Sequence, residues 1–351
     1  MNTEHEIYIK RCIELARIGA GRVAPNPLVG SVIVNNNKII GEGWHQKYGE
    51  AHAEVNAVRA VSSPELLQDA TLYVNLEPCC HQGKTPPCVD LIIAHKIKRV
   101  VLGMVDPNPL VSGKGIARLR DAGIEVITGV LEDACTDLNK RFITYILKHR
   151  PYVILKWAQT LNGFIAPDAS KMSAEQFEKE RHITGKVVQK LVHKWRTEEA
   201  AIMVGTNTAS LDNPALNVRE WKGNVPLRIV LDRNLRLPDF LKVYDKSQET
   251  WIVNELEDRA EGNLNYVKVN FQKDWFNQLI NRMYVNKIQS LIIEGGTKLL
   301  SHVIDNKMWD EAIVFYASAP IIKGIRAPSI GGEITNQNSL DQVKMIQYKK
   351  V

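Results

Sequence analysis

Short runs of apolar residues alternate with helix-like segments in the first part of the chain. The apolar runs include GSVIVNN, ATLYVNLEP and RVVLGMVDP, and segments such as GIARLRDAG lie between them. Such alternation is typical of an α/β sheet with crossover helices. The residues NNNK at 35–38 indicate a hairpin turn. Apolar residues recur at helical spacing at Ile9, Cys12, Ile13 and Ala16. The first part is therefore predicted to be an α/β domain that begins with a helix.

The alternation breaks at residues 148–151, KHRP, and a new apolar run, YVILKWAQT, follows at once. The second half then repeats the pattern with AAIMVG, LRIVLD, SLIIEGG and EAIVFYA, and helical segments such as ITGKVVQKLVHKW separate these runs. A chain of 351 residues exceeds the size at which one hydrophobic core usually keeps growing. We therefore predict two α/β domains, over residues 1–148 and 149–351.

Composition and charge exclude several classes of protein. Hydrophobic residues make up 44% of the chain and charged residues 24%, which is typical of a globular protein. The chain has no run of eighteen apolar residues, so we expect no membrane span, and Glu4, Glu6 and Glu14 interrupt the amino terminus where a signal peptide would be apolar. The net charge of +6 is modest, and Lys and Arg are scattered among acids. We therefore expect no nucleic-acid partner, whereas phosphorylated small molecules are compatible with this charge.

Three of the five cysteines lie within residues 79–88, so the set is clustered and odd in number. A disulfide framework would need an even, spaced set. We therefore expect a reducing compartment and a cytoplasmic protein. Cys12 and Cys135 lie in helical patterns and are predicted to be plain buried thiols.

The sequence His52-Ala-Glu54, followed by Pro78-Cys79 and later by Cys88, is the strongest chemical signal in the chain. This order of residues is the signature of zinc deaminases. One imidazole and two thiolates hold a tetrahedral zinc and leave its fourth position to water, whose pKa the metal lowers toward neutrality. Glu54 is not needed as a ligand and can carry a proton from the water to the departing amine. The motif predicts one zinc ion per chain and hydrolytic deamination of an amino-substituted heterocycle.

Three alternatives stay open at this point. Cys80 or His81 could complete a closed, purely structural zinc site, although such a site has no use for Glu54. A nucleic-acid deaminase shares the same motif, but it would need a basic or aromatic channel, and aromatic residues make up only 7% of the chain. A zinc-stabilised protein that binds metabolites without turning them over is the third.

The spacing between the two cysteines of the motif distinguishes among families of zinc deaminases. Cys79 and Cys88 are separated by eight residues, CHQGKTPP, instead of two. The run LEPCCHQGKTPPC, with HAE before it and DPNP at 106–109 after it, resembles the deaminase domain of the bifunctional riboflavin biosynthesis deaminase-reductases. Cys80 stands where that family more often has serine. The resemblance implies a three-layer αβα fold similar to that of cytidine deaminases.

Further residues match the family in the motifs APNPLVG and GWHQKYGEAHAE and in the loops that follow. The resemblance implies that Asn26 and His45 line the pocket for the base. It also implies that His81, Lys84 and Asn108 lie along the sugar phosphate of the substrate. Lys84 suits such a role because its ammonium is a mobile point charge on a Gly-flanked loop.

In the second half, SLIIEGGT predicts a buried strand, a Gly-Gly turn and the start of a helix, whose unpaired N–H groups can bind a phosphate. The turn lacks the GxGxxG of a Rossmann unit. With LKWAQTLNG at 155–163, GTNTASLDNPALNVR at 205–219 and RIVLD at 228–232, it resembles the reductase domain of the same family. The resemblance implies an α/β fold similar to dihydrofolate reductase and covers nearly the whole chain.

The same resemblance assigns residues to two ligands of the second domain. Those implied for NADPH are Ala158, Thr208, Asp212, Gly295, Gly296, Thr297, Lys298 and Leu299. Those implied for the substrate are Arg196, Leu216, Arg219 and Glu294. Lys156 is the candidate for polarising the opened ribose during hydride transfer.

The second half also departs from the family in two places. Asn162 replaces the usual aspartate, and Arg181-His182 replace a Gln-Trp-like pair. These departures bear on local substrate contacts and on whether the reductase is active. They leave the dinucleotide turn unchanged.

The function implied by the resemblance has two steps. The first domain would replace the 2-amino group of 2,5-diamino-6-(5-phosphoribosylamino)pyrimidin-4(3H)-one with oxygen and release ammonia. The second would reduce the ribosyl group to ribityl with NADPH, since no side chain can supply hydride. Reductase domains of this type usually pair, so we expect a homodimer or homotetramer.

Overall fold

The computed structural model describes residues 3–83, 86–109, 111–168, 172–318 and 320–351. The chain divides into two units, Met1–Arg150 and Pro151–Val351. The described helices of the first unit are α1 (Thr3–Ile18), α2 (Ala53–Arg59), α3 (Cys88–Ala94), α4 (Lys114–Asp121), α5 (Glu132–Leu138) and α6 (Lys140–Lys148). Its described strands are β1 (Gly30–Asn35), β2 (Lys38–Trp44), β3 (Thr71–Leu76), β4 (Arg99–Met104) and β5 (Glu125–Ile127).

The strands of the first unit form one sheet in the order β2-β1-β3-β4-β5. β1 is antiparallel to both of its neighbours, and β3, β4 and β5 run parallel. Asn36 and Asn37 join β1 to β2 with φ angles of 48° and 59°. Positive φ at both central residues is what a two-residue hairpin turn requires, so the predicted hairpin is confirmed. Val32 and Ile33 pack into separate apolar clusters because successive side chains point to opposite faces of the sheet.

Two glycines bring α2 close to the sheet. A methyl group on Gly43 would lie 2.3 Å from the backbone nitrogen of Ala57, and one on Gly41 would lie 2.4 Å from its carbonyl oxygen. Only glycine permits this approach of helix to strand. Since His52 precedes α2 and Glu54 lies in its first turn, the two glycines help to set the position of both side chains.

The described helices of the second unit are α7 (Ala174–Glu180), α8 (Lys186–Glu198), α9 (Thr206–Asp212), α10 (Trp275–Val285) and α11 (Thr297–Asp305). Its first described strands are β6 (Tyr152–Thr160), β7 (Phe164–Pro167), β8 (Ala201–Val204), β9 (Leu227–Leu231), β10 (Thr250–Asn254) and β11 (Arg259–Glu261). The remaining ones are β12 (Leu264–Lys268), β13 (Ser290–Gly295), β14 (Glu311–Ala317), β15 (Gly324–Arg326), β16 (Glu333–Leu340) and β17 (Val343–Lys349).

Ten of these strands form one sheet in the order β11-β12-β10-β9-β8-β13-β6-β14-β17-β16, and β7 pairs with β15 in a small second sheet. The seven strands from β12 to β14 run parallel, and antiparallel strands lie at both edges. Along β6, Val153 and Leu155 enter one apolar cluster, whereas Tyr152 and Ile154 enter another. The central strands are therefore buried on both faces, which explains their nearly continuous apolar sequence. The predicted α/β architecture of both halves is confirmed.

No helix in the described part of the chain is long and apolar enough to cross a lipid bilayer.

Candidate active sites

His52, Cys79 and Cys88 come together in the first unit from three different elements. His52 immediately precedes α2, Cys79 follows the end of β3, and Cys88 begins α3. Nδ1 of His52 lies 3.5 Å from Sγ of Cys79 and 3.4 Å from Sγ of Cys88. Tetrahedral zinc with ordinary Zn–N and Zn–S bonds would separate such atoms by about 3.6 Å, so the three side chains fit the ion.

The composition of this ligand cluster argues against a structural zinc site completed by Cys80 or His81. Within the described residues, the group of side chains able to hold a metal contains His52, Cys79 and Cys88 and no fourth member. The Cys80 side chain instead packs partly against the apolar core, and His81 is exposed. The geometry therefore favours three protein ligands and an open fourth position, as in catalytic zinc sites.

Hydrogen bonds around Cys79 favour its thiolate form. Hydrogen bonding to the Cys88 side chain lowers the pKa of the Cys79 thiol, burial opposes this effect, and hydrogen bonding to His52 lowers the pKa further. The backbone N–H of Cys88 also donates to Sγ of Cys79 at 3.3 Å. A metal requires the thiolate and not the thiol, so the surroundings of Cys79 prepare it for coordination.

Glu54 is buried in the first turn of α2, and 3% of its surface is exposed. Burial raises the pKa of its carboxyl to about 7, and Cys79 adds to that increase. His52 lies two residues earlier in the chain, at the start of the same helix. A carboxyl in this position can hold a proton beside the metal site without serving as a ligand.

Asn26 and His45 lie beside the metal ligands. Nε2 of His45 is 3.1 Å from the Asn26 amide nitrogen, and its Nδ1 is 3.1 Å from the carbonyl oxygen of Ala51. This pattern assigns the proton to Nδ1, which donates to Ala51, while Nε2 accepts from Asn26. Burial lowers the pKa of His45, so the ring stays neutral. The rings of His45 and His52 meet edge to face, with centroids 5.4 Å apart.

The three residues expected along the sugar phosphate are only partly described. Asn108 lies in the loop after β4, where its backbone N–H donates to Oδ1 of Asp106 at 2.8 Å. Burial raises the pKa of the Asp106 carboxyl, and His81 lies close enough to oppose that increase. Lys84 lies outside the described residues.

In the second unit, Lys156, Arg196 and Glu294 form a buried charged cluster. Lys156 and Glu294 lie on the neighbouring strands β6 and β13, and Arg196 lies in the last turn of α8. The Arg196 guanidinium donates to both carboxylate oxygens of Glu294, at 2.9 and 2.6 Å, and Nζ of Lys156 is 3.8 Å from the same carboxylate. Burial alone would raise the pKa of Glu294, but Arg196 and Lys156 outweigh it and lower the pKa to about 2.

A cavity of about 170 Å³ opens beside this cluster. Its polar lining includes Lys156, Arg196, Arg219, His193, His182 and Gln189. Two guanidinium groups and an ammonium group around one cavity suit an anionic ligand. The predicted residues Lys156, Arg196, Glu294 and Arg219 are thus brought to one place, and this place is cationic.

Leu216 and Arg219 lie in the segment that follows α9. Leu216 is buried with a φ of 50°, a conformation that branched side chains rarely adopt. Its carbonyl oxygen accepts from the Gln248 amide, and the carbonyl oxygen of Ala215 accepts from the fully buried Arg228. These two buried side chains hold the segment in its strained course.

The expected dinucleotide residues gather where β8 and β13 end. Gly205 donates its N–H to the carbonyl of Gly295 at 3.2 Å, and a methyl on Gly296 would lie 3.4 Å from Oγ1 of Thr208. Gly296 has a φ of 85° and immediately precedes α11. It therefore forms the turn that the sequence predicts between the strand and the helix. Thr297 and Lys298 begin α11, and Leu299 in the same turn is buried, so the predicted strand, turn and helix are confirmed.

Asp212 and Ala158 are less central to this group. Asp212 ends α9, and its carboxylate lies 3.1 Å from the Arg181 guanidinium. Ala158 lies on β6, where it is partly buried against the apolar cluster that contains Val204.

Asn162 has a structural use for its amide. Its Oδ1 accepts from the Thr160 hydroxyl at 2.6 Å, and its Nδ2 donates to the Ile321 carbonyl at 2.8 Å. An aspartate could accept the first bond but could not donate the second. This departure from the family pattern therefore lies in a satisfied turn. The other departure places Arg181 against Asp212 and His182 in the cavity lining.

Two buried polar residues near these sites were missed from sequence. His193 lines the cavity, and its Nδ1 accepts from the backbone N–H of Arg219 at 3.3 Å. Glu77 is buried at the end of β3 and accepts from several backbone N–H groups. Spacing could have pointed to His193, because it lies on α8 one turn before Arg196.

Comparisons with known families agree with this division of the chain. Residues 2–104 match the family described as the cytidine and deoxycytidylate deaminase zinc-binding region. Residues 151–350 match the family described as the RibD C-terminal domain. The two matches confirm a deaminase-like fold in the first half and a reductase fold in the second.

Curated proteins and solved structures are similar over nearly the whole length. The riboflavin biosynthesis protein RibD of Aquifex aeolicus is 38% identical over 349 residues, which cover 98% of this chain and 94% of that protein. Acinetobacter baumannii RibD aligns with a TM-score of 0.87 and 32% identity. A diaminohydroxyphosphoribosylaminopyrimidine deaminase/5-amino-6-(5-phosphoribosylamino)uracil reductase from Thermotoga maritima aligns with a TM-score of 0.85 and 36% identity. Both structural alignments cover 99% of each chain.

Proposed function

The chain belongs to the RibD family of bifunctional riboflavin biosynthesis enzymes, and from that membership we propose how its two halves divide the chemistry. Residues 1–148 deaminate 2,5-diamino-6-(5-phosphoribosylamino)pyrimidin-4(3H)-one, and ammonia is released. Residues 149–351 reduce the ribosyl group of the product to ribityl. The enzyme uses zinc for the first step and NADPH for the second.

In the deaminase site, His52, Cys79 and Cys88 hold the metal, whose geometry they fit. Zinc held by these residues would supply a water molecule of lowered pKa as the nucleophile for C2 of the pyrimidine. Glu54 takes a proton from the water on its carboxylate and passes it to the departing 2-amino group. Asn26 and the neutral His45, which lie beside the metal ligands, bind the base. His81, Lys84 and Asn108 contact the sugar phosphate.

In the reductase site, the cationic cavity supports the binding of a phosphorylated substrate by Arg196 and Arg219. Glu294, which pairs with Arg196, and Leu216 contact the same substrate. NADPH supplies the hydride. Reduction of the opened ribose also consumes one proton, which Lys156 delivers from Nζ. Burial lowers the pKa of Lys156, which eases release of that proton, and Glu294, 3.8 Å away, opposes the shift. The nucleotide binds against Ala158, Thr208, Asp212 and the Gly295–Leu299 turn, where helix N–H groups favour its phosphates.

The observation that carries this proposal is the open three-ligand metal site with a buried carboxyl beside it. It is tested with zinc-loaded protein and the diaminopyrimidine substrate, following ammonia release and NADPH absorbance together. We expect ammonia first and NADPH loss second. Glu54→Gln should stop both, and supplying the deaminated intermediate to this variant should restore NADPH loss.

The outcomes separate the two halves. Ammonia without NADPH loss, even when the intermediate is supplied, would contradict the reductase assignment alone. NADPH loss with the intermediate but no ammonia from the wild type would contradict the deaminase assignment. If both activities were absent, the result would favour a protein that binds its ligands without turning them over.

We further propose that the protein is cytoplasmic and forms a homodimer or homotetramer. All five cysteines are free thiols, as expected in a reducing compartment. β16 is the last strand of its sheet and most of its residues are exposed, and such an edge is a place where a second copy can pair. Light scattering after size exclusion would contradict the assembly by showing only monomer.

A further inference from the structure

Glu77 is a buried acid that the reaction does not use directly. It follows β3 and immediately precedes Pro78 and the metal ligand Cys79. Only 3% of its surface is exposed. Its carboxylate accepts four backbone N–H groups, from Asp106 at 3.1 Å, Gly113 at 3.0 Å, Gly115 at 2.9 Å and Ile116 at 3.3 Å.

The two carboxylate oxygens hold two different segments. Oε2 accepts from Asp106 and Gly113, which lie at the two ends of the loop that contains Asn108. Oε1 accepts from Gly115 and Ile116 in the first turn of α4. A carboxylate offers acceptors on both oxygens, whereas a glutamine offers one oxygen and places donors at the other position. The two acceptor oxygens of Glu77 therefore suit this set of four donors better than the amide of a glutamine would.

α4 approaches Glu77 closely enough to need a glycine. A methyl group on Gly115 would lie 2.6 Å from the Pro78 carbonyl oxygen and 3.1 Å from Oε1 of Glu77. One turn later, Arg118 donates to the carbonyl oxygen of Cys80 at 3.1 Å. The helix is thus attached to the segment around Cys79 on both sides of the ligand.

We propose that Glu77 is a positioning residue of the deaminase, which fixes the loop carrying Asn108 relative to the metal ligand Cys79. This inference rests on the proposed function, in which Asn108 contacts the sugar phosphate. Glu77 acts through that loop and itself touches neither the substrate nor the metal. The Glu77 side chain holds both ends of the loop and the start of α4. Replacing it therefore shifts Asn108 relative to the sugar phosphate, although Asn108 itself remains in the chain.

The test is the steady-state kinetics of Glu77→Gln, measured as ammonia release. We expect KM for the diaminopyrimidine substrate to rise about tenfold, the scale of weakening one hydrogen bond to a charged group, with a smaller change in kcat. Zinc content should stay at one per chain. NADPH loss with the deaminated intermediate should be unchanged, since that site lies in the other unit.

A matched control is Glu42→Gln in the same unit. Glu42 on β2 pairs with Arg11 on α1 at 2.7 Å, and it forms no hydrogen bond with the loop among the residues that the structure describes. Its KM should equal that of the wild type. A rise as large as that of Glu77→Gln would overturn the proposal, because any lost acid would then have the same effect.

Asn108→Ala separates this proposal from the function on which it rests. An unchanged KM in Asn108→Ala would contradict the Asn108 contact, and with it the route by which Glu77 acts. A raised KM in Asn108→Ala beside an unchanged one in Glu77→Gln would overturn the role of Glu77 alone. In the double variant, KM should rise no further than in Asn108→Ala, and multiplying effects would overturn the proposal.

Loss of zinc from Glu77→Gln would also overturn it, since the carboxylate would then serve Cys79 and not the loop. If that variant does not fold, Gly115→Ala decides the matter. The added methyl pushes α4 away from Glu77 and leaves the carboxylate in place. A rise in KM with zinc retained is expected, and an unchanged KM would overturn the proposal.

Discussion

Replacing Glu294 with glutamine would leave two buried cations without their shared anion. Side-chain exposure is 7% for Glu294, 12% for Arg196 and 15% for Lys156. Glutamine keeps the volume of Glu294, but it keeps only one acceptor oxygen where Arg196 donates to two. The perturbation therefore removes charge and one strong hydrogen bond with little change in packing.

The magnitude follows from the pKa of the carboxyl. Burial opposes its ionisation, yet Arg196 and Lys156 lower the pKa from 4.5 to about 2. A difference of this size corresponds to about 3 kcal/mol of stability, which agrees with the cost of breaking a buried ion pair. Since the folded pKa is the lower one, this contribution is complete above pH 4.5 and is lost as the pH falls toward 2.

The assay is urea unfolding followed by tryptophan fluorescence. Six of the seven tryptophans lie in the second unit, at 157, 195, 221, 251, 275 and 309, so the signal reports mainly on that unit. At pH 7 we expect Glu294→Gln to lower the free energy of unfolding by about 3 kcal/mol. It should also abolish NADPH loss and leave ammonia release at the wild-type rate.

Glu255→Gln is the matched control, because Glu255 pairs with Arg233 at the surface of the same unit. Its effect should stay below about 1 kcal/mol. The reasoning is refuted if Glu294→Gln costs no more than this control at pH 7. It is also refuted if the difference from wild type remains undiminished at pH 3, since the loss would then come from packing and not from charge.

Three further predictions follow from the two units. Removing zinc with a chelator should abolish ammonia release but not NADPH loss with the deaminated intermediate, and added zinc should restore the first activity; parallel loss of both would contradict separate sites. Asn162→Asp should lower the urea stability of the second unit by about 1–3 kcal/mol, because aspartate cannot donate to Ile321, and an unchanged midpoint would contradict this. Burial, aided by Arg196 and Arg219, lowers the pKa of His193 to about 4. In the unfolded chain His193 therefore binds a proton that it does not bind in the folded protein. The free energy of unfolding should fall as the pH drops from 6.5 to 5, and His193→Gln should reduce that pH dependence.

The parts of the site that could be predicted from sequence lie close together in the chain or carry a distinctive chemistry. His52 and Glu54 are two residues apart at the start of α2, and the cysteines can be recognised as candidate ligands from their residue type. The apolar runs also identified the strands, because parallel strands buried on both faces have few polar positions.

The unpredicted parts depend on partners that are distant in the chain. Glu77 bonds with residues 29 to 39 positions later, and nothing near it in sequence indicates that the loop returns to it. Arg196 and Glu294 are both expected at the substrate, but their ion pair across 98 positions is not indicated by the sequence. Asn162 looked like a weakness because its sequence departs from the family, whereas its role depends on a carbonyl 159 positions away.

The two active sites are anchored in different kinds of structure. Lys156 and Glu294 lie within β6 and β13, two hydrogen-bonded strands at the centre of their sheet. By contrast, His52 lies just before α2, and Cys79 lies just after β3. Amide exchange and unfolding commonly begin at element ends, while central strands open last. Heat would therefore inactivate the reductase together with its whole unit, whereas the deaminase could fail through a local opening that releases its metal. The two activities of one polypeptide would then be lost at different rates. A stored preparation could still consume NADPH with supplied intermediate after it has stopped producing that intermediate itself.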